Sequence, residues 1–502
     1  MSEDGMGFGG TNLDHRSRMI ILVGVMSGML LASLDGTIIN TALMTITTDL
    51  GGLDKYTWVG TAYLLTSTAA TPLYGKLSDI YGRRVMYQLA ISIFIGASIL
   101  CSLSNSMEFL VFGRALQGIG GGGLTAMAFI VVGDIIPPRE RGKYTGYVTT
   151  LYAISSVIGP LIGGLIVDNV SWRWIFWVNV PIGALALIIT SITMKIPVDK
   201  IQRKIDYVGT LLLIGAVSSL ILVISWAGEE YGWTSSTSLL LFLMAGTLTV
   251  GFIYWEPRAA EPLIPPRLIS IRTIQIMIPL LMLFGVGMLG TNAFIPLFLQ
   301  AVTGVTPTQS GLLLLPMILG VLAAALIAGR MIERTGRYKN WMLSGAALMT
   351  AGMTVLSLMN HSGTGLAAGL IGMFVMGFGT GSLGPVSTTV VQNSVEHQDL
   401  GIATSMITFF RSLGGAIGLA VCGAMFNVFA RNKVEPQFIS NPRLVKKLPE
   451  PQKSHVLDAL SDSITGTFKW TIPAMILIFV LATMIKEIPL RETIGAQSTP
   501  IE

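Results

Sequence analysis

Charge is scarce in this chain, so each ionisable residue inside an apolar run can be weighed individually. Asp35 is the only acidic residue between Met19 and Thr48. A carboxylate in hydrocarbon is costly and functional by default. Burial disfavours its charged form, so it can take up and release a proton near neutral pH. The competing reading is a hydrogen-bond anchor for its own helix. Arg114, in LVFGRALQGIGGGG (110–123), cannot lose its charge and therefore needs an acceptor or a water-filled cavity. Arg411 is a second cation in an apolar run, and functional and structural readings of it stand level. Asn40, Gln117 and Asn292 add uncharged polar groups and, with Arg411, are candidate linings of a substrate cavity. Group-transfer chemistry finds no nucleophile–base pair and no metal-ligand spacing, so neither an enzyme nor a metal or other cofactor is expected. His15, His361, His397 and His455 fall in loops or termini, and Cys101 and Cys422 read as packing residues. No GxxxxGK[ST] occurs, so ATP hydrolysis is not expected. The glycine run after Arg114 follows no strand and reads as helix packing.

The elements that must hold these groups are membrane helices. Hydrophobic residues make up 52% of the 502 and charged ones only 12%, against about 25% in soluble domains. The mean hydropathy of +0.68 agrees. A span needs about 20 apolar residues, and fourteen are expected: 19–45, 56–75, 85–105, 109–133, 144–167, 174–194, 207–228, 236–255, 273–299, 309–329, 340–360, 365–391, 400–428 and 466–485. Thr273–Gly329 contains no charge at all and divides at the turn TGVTPTQS (303–310). Residues 1–18 are polar with no cleavable signal pattern, so the first span serves as an uncleaved anchor. An even number of spans puts both termini on one side, and that side collects 21 of the 32 basic residues. The positive-inside rule makes it cytoplasmic. The net charge of +5 follows from this topology and does not indicate nucleic acid as a partner. Membrane lipids are the surroundings expected of a monomer in the cell membrane, plasma or inner.

Two stretches recur at nearly one offset. GKLSDIYGRR (75–84) is echoed by GRMIERTGRYK (329–339), and IGPLIGGL (158–165) by LGGAIGLA (413–420). Duplicated helical halves around a central cavity are a common transporter plan. The chain thus divides into a tail 1–18, a six-helix bundle 19–195 and two inserted helices in 206–256. A second six-helix bundle, 272–486, with an external loop 431–465, and a tail 487–502 complete it.

GKLSDIYGRR resembles the loop motif between helices two and three of the major facilitator superfamily. Three further stretches resemble motifs of its fourteen-helix drug:proton antiporters: LDGTIINTALMTI (34–46), LVFGRALQGIGGGG, and IGPLIGGLIVDNVSWRWIFWVNVPIG (158–183). The resemblance implies an all-α polytopic protein with the major facilitator fold. Gly75 and Gly82 would permit the tight turn, and Asp79 would sit at the positive end of a helix in the opposite half. Arg83 would pair with Asp134, and the whole would latch one state of the carrier; a merely positive turn is the alternative. Arg114 would be tied to proton coupling with Asp35. Gly159, Pro160, Gly163 and Gly164 would form the antiporter motif, Pro160 kinking the helix and Gly159 packing against the other half. The expected function is proton-coupled export of lipophilic or amphipathic small molecules, of the multidrug kind. The alternative is export of one endogenous metabolite, fatty acid or lipid. A non-transporting sensor or scaffold could lose Asp35, Arg114 and the glycine–proline motif, and this chain has all three.

Overall fold

A computed structural model describes residues 15–51, 56–194, 206–227, 232–305, 307–360, 363–396, 399–430, 433, 434, 445, 448, 449 and 452–490. Among these, every regular element is helical. In chain order they are α1 (His15–Leu50), α2 (Tyr56–Tyr81), α3 (Arg83–Ser102), α4 (Met107–Ile135), α5 (Pro138–Asn169), α6 (Trp174–Trp177), α7 (Asn179–Thr193), α8 (Tyr207–Ala227) and α9 (Ser236–Trp255). A 3-10 turn at Glu256–Arg258 leads to α10 (Pro266–Ser270), α11 (Arg272–Ala301), α12 (Pro307–Leu313), α13 (Leu315–Thr335) and α14 (Lys339–Leu356). The last are α15 (Gly363–Asn393), α16 (Leu400–Ala430) and α17 (Gln452–Met484). Eleven stretches among the described residues are long and apolar enough to cross a membrane. The expected spans on α2, α5 and α14 are helices too, but Ser, Thr, Gly and charge dilute their apolar character.

Several boundaries differ from the sequence reading, each for a local reason. α2 runs past Gly75 to Tyr81, so most of GKLSDIYGRR is helix and the turn is concentrated at Gly82. That glycine has φ +92, a left-handed conformation that only glycine adopts cheaply. α5 begins at Pro138 rather than 144, because proline with its fixed φ suits a first helical turn. α17 begins at Gln452, so the expected external loop 431–465 is helical over its last residues. Its first turns carry Lys453, Asp458 and Asp462, which mask them from a hydropathy reading. The tails 1–14 and 491–502 and most of 431–451 lie outside the described residues.

Glycine decides how closely the helices pack. A Cβ on Gly118 would lie 2.4 Å from the Tyr63 carbonyl oxygen, and one on Gly122 would lie 2.3 Å from that of Ser67. The glycine run therefore presses α4 onto the backbone of α2, as its helix-packing reading requires. Buried apolar side chains of α1–α7 form two clusters, and those of α11–α17, with Leu213, Val217 and Ile221 of α8, form another. The sequence echo has a counterpart in space. Gly82 and its partner in the repeat, Gly336, both have positive φ, and α5 packs on α1 as α16 packs on α11. Cys101 of α3 and Cys422 of α16 are free thiols, both buried.

The ends of α2 and α4 and the starts of α3, α5, α11 and α16 gather at the end of the molecule where the described chain begins and finishes. There Tyr338 and Lys339 donate backbone amides to Glu487, and the Tyr338 hydroxyl accepts from the Ile488 amide. At the opposite end Trp172 Nε1 donates to Asp49 Oδ2 at 2.7 Å and Arg173 Nη1 to the same oxygen at 3.2 Å, which fastens α1 to α6.

Candidate functional site

The sequence singled out Asp35 and Arg114, and the fold brings them together. Asp35 comes from α1 and Arg114 from α4; they are 3% and 1% exposed. Arg114 Nη1 donates to Asp35 Oδ2 at 2.6 Å and to Gln117 Oε1 at 2.6 Å, and its Nε points at the Val59 carbonyl, 3.4 Å away. The guanidinium carbon lies 4.4 Å from the centre of the Tyr63 ring, a cation–π contact that suits a cation with few waters. The other carboxylate oxygen, Asp35 Oδ1, accepts from Gln117 Nε2 at 2.8 Å and Asn179 Nδ2 at 2.7 Å. Both amides also donate to Ser98 Oγ, at 2.7 and 2.9 Å.

Five helices, α1 to α4 and α7, thus meet at one carboxylate. The pair is electrically neutral and each Asp35 oxygen has a donor. Charges this deeply buried persist only when paired and hydrogen-bonded. Gln117, expected to line a cavity, is a member of this network. Ser98, Tyr63 and Asn179 were not foreseen. Asn179 lies within the quoted WVNVPIG stretch, where a lone amide in an apolar run was the available signal.

A second assembly forms at the terminus-bearing end. Arg83 Nε donates to Asp134 Oδ2 at 2.7 Å, its Nη1 to Ser78 Oγ at 2.5 Å, and the same Nη1 pairs with Asp79. The pairing of Arg83 with Asp134 is the one the resemblance implied. Asp79 lies against the first turn of α16: a Cβ on Gly401 would be 2.5 Å from its Oδ1. A carboxylate at a helix N-terminus is favoured by the helix dipole. Gly75 makes the approach possible, because a Cβ there would lie 2.2 Å from Ser405 Oγ and 3.0 Å from the Gly401 carbonyl. Gln392 of α15 ties the same region from the other side, donating to the Phe129 carbonyl (3.3 Å) and Thr404 Oγ1 (2.9 Å). Arg141 closes the C-terminus of α4 by donating to the carbonyls of Ile136 and Gly133, at 2.8 and 2.5 Å.

In the glycine–proline motif, a Cβ on Gly159 would lie 2.0 Å from Thr37 Oγ1, so this glycine packs first against α1 of its own half. Thr37 explains the closeness, for its hydroxyl donates across to the Ser155 carbonyl at 2.9 Å. Gly163 is buried, whereas a Cβ on Gly164 would meet nothing within 4 Å. α5 reaches the opposite half elsewhere, packing on α13 and α15. Arg411 lies with its guanidinium carbon 5.3 Å from the centre of the Phe129 ring of α4. The side chains of Asn40, Pro160 and Asn292 lie outside the described residues. At position 290, the repeat partner of Asp35, a Cβ would press on Cys422 Sγ at 2.7 Å, so an acid there would not fit.

Comparison with known proteins places these features in context. The description Major Facilitator Superfamily matches residues 25–419. An uncharacterized MFS-type transporter of Mycobacterium tuberculosis is 34% identical over 494 residues, covering 96% of this chain and 72% of its own. The multidrug transporter protein MdtP of Bacillus subtilis is 34% identical over 479 residues, covering 89% of this chain and 88% of its own. Among solved structures, the human organic anion transporter MFSD10 superposes with a TM-score of 0.62 at 15% identity, covering 91% of this chain and 99% of its own. That last likeness is one of fold alone.

Proposed function

The chain belongs to the major facilitator superfamily, and from that premise we propose that it is a proton-coupled exporter, an antiporter of lipophilic or amphipathic small molecules. It is a multi-pass membrane transporter and no enzyme. The observation that carries the finer reading is the buried Asp35–Arg114 pair, held by amides from two further positions. A purely structural anchor would not need an ion pair in hydrocarbon, where a hydrophobic pair of equal volume is often as stable.

In this reading Asp35 takes a proton from the outside when the carrier faces outward and gives it up inside as substrate binds. Arg114 re-forms its bond to the carboxylate and so favours release. The two halves, α1–α7 and α11–α17, rock about the site, and the Asp79–Arg83–Asp134 assembly latches the terminus-bearing end shut. That end is the cytoplasmic one, and the carrier works as a monomer in the cell membrane. One charge crossing ~100 mV is worth ~2.3 kcal/mol, and one pH unit adds ~1.4 kcal/mol. Their total holds a several-hundred-fold gradient of a neutral substrate, since ~1.4 kcal/mol is tenfold. One titrating carboxylate therefore suffices. Asp35 is matched by Arg114, and α11, α15 and α16 carry no Asp or Glu, which favours neutral or monovalent substrates over dications.

The test is transport of a dye panel into everted vesicles, with and without a pH gradient. Uphill accumulation that collapses with the gradient, and is absent in Asp35→Asn, is expected. Accumulation that survives either change would overturn the reading. Movement of a single member of a metabolite and lipid panel, with the dyes ignored, would mark a dedicated exporter instead.

A further inference from the structure

The helices α8 and α9 join the rest of the chain through a cluster that the transport chemistry does not use. Asp206 stands just before α8, where its Oδ1 accepts from the Gly209 amide at 2.9 Å and from Trp255 Nε1 at 3.0 Å. Glu256 follows α9 and is 4% exposed; its Oε1 accepts from the Ile264 amide at 2.5 Å. The remaining oxygens, Asp206 Oδ2 and Glu256 Oε2, are buried and have no hydrogen-bond partner. They lie 2.3 and 3.1 Å from one point, the position of a Cβ built on Gly209.

Two ionised carboxylates on either side of Gly209 repel each other, and among the described residues neither free oxygen has a hydrogen-bond donor. A proton on the more buried of the two, Glu256, removes that repulsion. A metal ion is the poorer fit, because two carboxylates alone rarely hold one. No group of three or more Asp, Glu, His or Cys residues among the described ones has metal-ligating geometry. The surrounding charges do not replace the proton. Lys76 of α2 acts on Glu256 through space, but its Nζ donates to Glu261 Oε2 at 3.1 Å and points at the Pro262 carbonyl at 3.4 Å. Arg258 turns out onto the Tyr254 carbonyl and ring. Arg267 is engaged by Asp399 ahead of α16, and Tyr207 and Arg272 are exposed.

We propose that Glu256, buried beside Asp206, is a proton-binding site on the inserted helix pair, the proton being held on Oε2. The proton comes from water on the terminus-bearing side and returns to it. Protonated, the pair carries one negative charge and draws the start of α8 to the end of α9. Deprotonated, it carries two, and the helix ends part. The segment 256–262 then loosens its hold on Lys76, which lies one turn from Asp79. The site thus gives the insert a way to tighten or slacken the latch with pH. It does not depend on what the chain transports.

The experiment follows the purified full-length protein in detergent from mildly acidic to mildly alkaline buffer, by thermal unfolding and by the infrared band of protonated carboxyl groups. A proton bound more tightly in the folded state stabilises it at low pH, and that stability is lost as pH rises. The wild type should lose a few degrees of midpoint on going alkaline, together with part of the band. Glu256→Gln places an amide donor where the proton was, so its midpoint should fall less and its band should be smaller from the start. Asp206→Asn keeps the cap oxygen and should behave likewise. If both variants track the wild type in midpoint and band, no proton is bound there. Should Glu256→Gln fail to fold, the band in Asp206→Asn decides alone.

Discussion

Neither Asp35 nor Arg114 can be removed alone without leaving a buried charge unpaired. Breaking a buried pair in this way costs about 3–5 kcal/mol. Asp35→Asn should therefore lose both uphill transport and thermal stability. Adding Arg114→Gln should recover stability and leave transport dead, because no titrating group returns. Unfolding midpoints and proteoliposome transport of the single and the double variant check this; a double variant no more stable than the single one would show that the pair does not carry the loss. Asp35, Arg114 and Gln117 were legible in the sequence because charge and amides stand out in apolar runs. Ser98 and Asn179 were not, since a polar residue on a helix declares no facing direction until its neighbours are placed. Asp49 offers a second test at this scale. The hydrogen bond from Trp172, and then the Arg173 guanidinium, hold its carboxyl below the ordinary carboxylate value. A depressed carboxylate stabilises above its unfolded value, and the contribution disappears as pH falls through the lowered one. Asp49→Asn should thus unfold slightly earlier than wild type at neutral pH, the effect being small because the side chain is 52% exposed. The gap should close in acid, and a gap independent of pH would remove electrostatics as its cause.

Among the elements, α2 reaches both halves of the molecule and the inserted pair. It packs on α4 through glycine, on α16 through Gly75 and Asp79, and on α8. Asp79→Asn removes charge and little volume, so abundance in the membrane should stay normal while efflux falls steeply. Efflux and abundance measured together decide it, and normal efflux at normal abundance would leave Asp79 with no latching role. On α5, Gly159→Leu should stop the helix seating against Thr37 and give a leaky or inactive carrier. Gly164→Ala fills open space and should be silent. Equal damage from both would mean that the motif works through something other than contact with α1. Hydropathy revealed α1, α3, α4 and most other spans because their apolar runs match the bilayer. It cut α2 short at the charged stretch and missed the start of α17, because helix continues wherever backbone bonds can, whatever the side chains face. Gly159 was legible as a small residue, but not as the seat of Thr37, since a motif tells which residue is small and not which helix fills the space.

At the scale of the whole molecule, the contacts at the terminus-bearing end join α2 and α4 to α15 and α16. Much of this plan was readable in advance, because basic residues crowd one set of loops and the repeat offset relates Gly82 to Gly336. The docking of the segment after α9 onto Lys76 was not readable, for it joins residues 185 positions apart through no shared pattern. The two cysteines have a practical consequence. With Cys101 and Cys422 both buried and no other thiol in the chain, the protein is nearly silent toward maleimide probes as it stands. Leu103 and Leu358, exposed at 58% and 63% on the end away from the termini, can be exchanged for reporter thiols without first stripping the background. A spin or dye pair at those two positions would read, in ångströms, how far that end of the carrier opens and shuts.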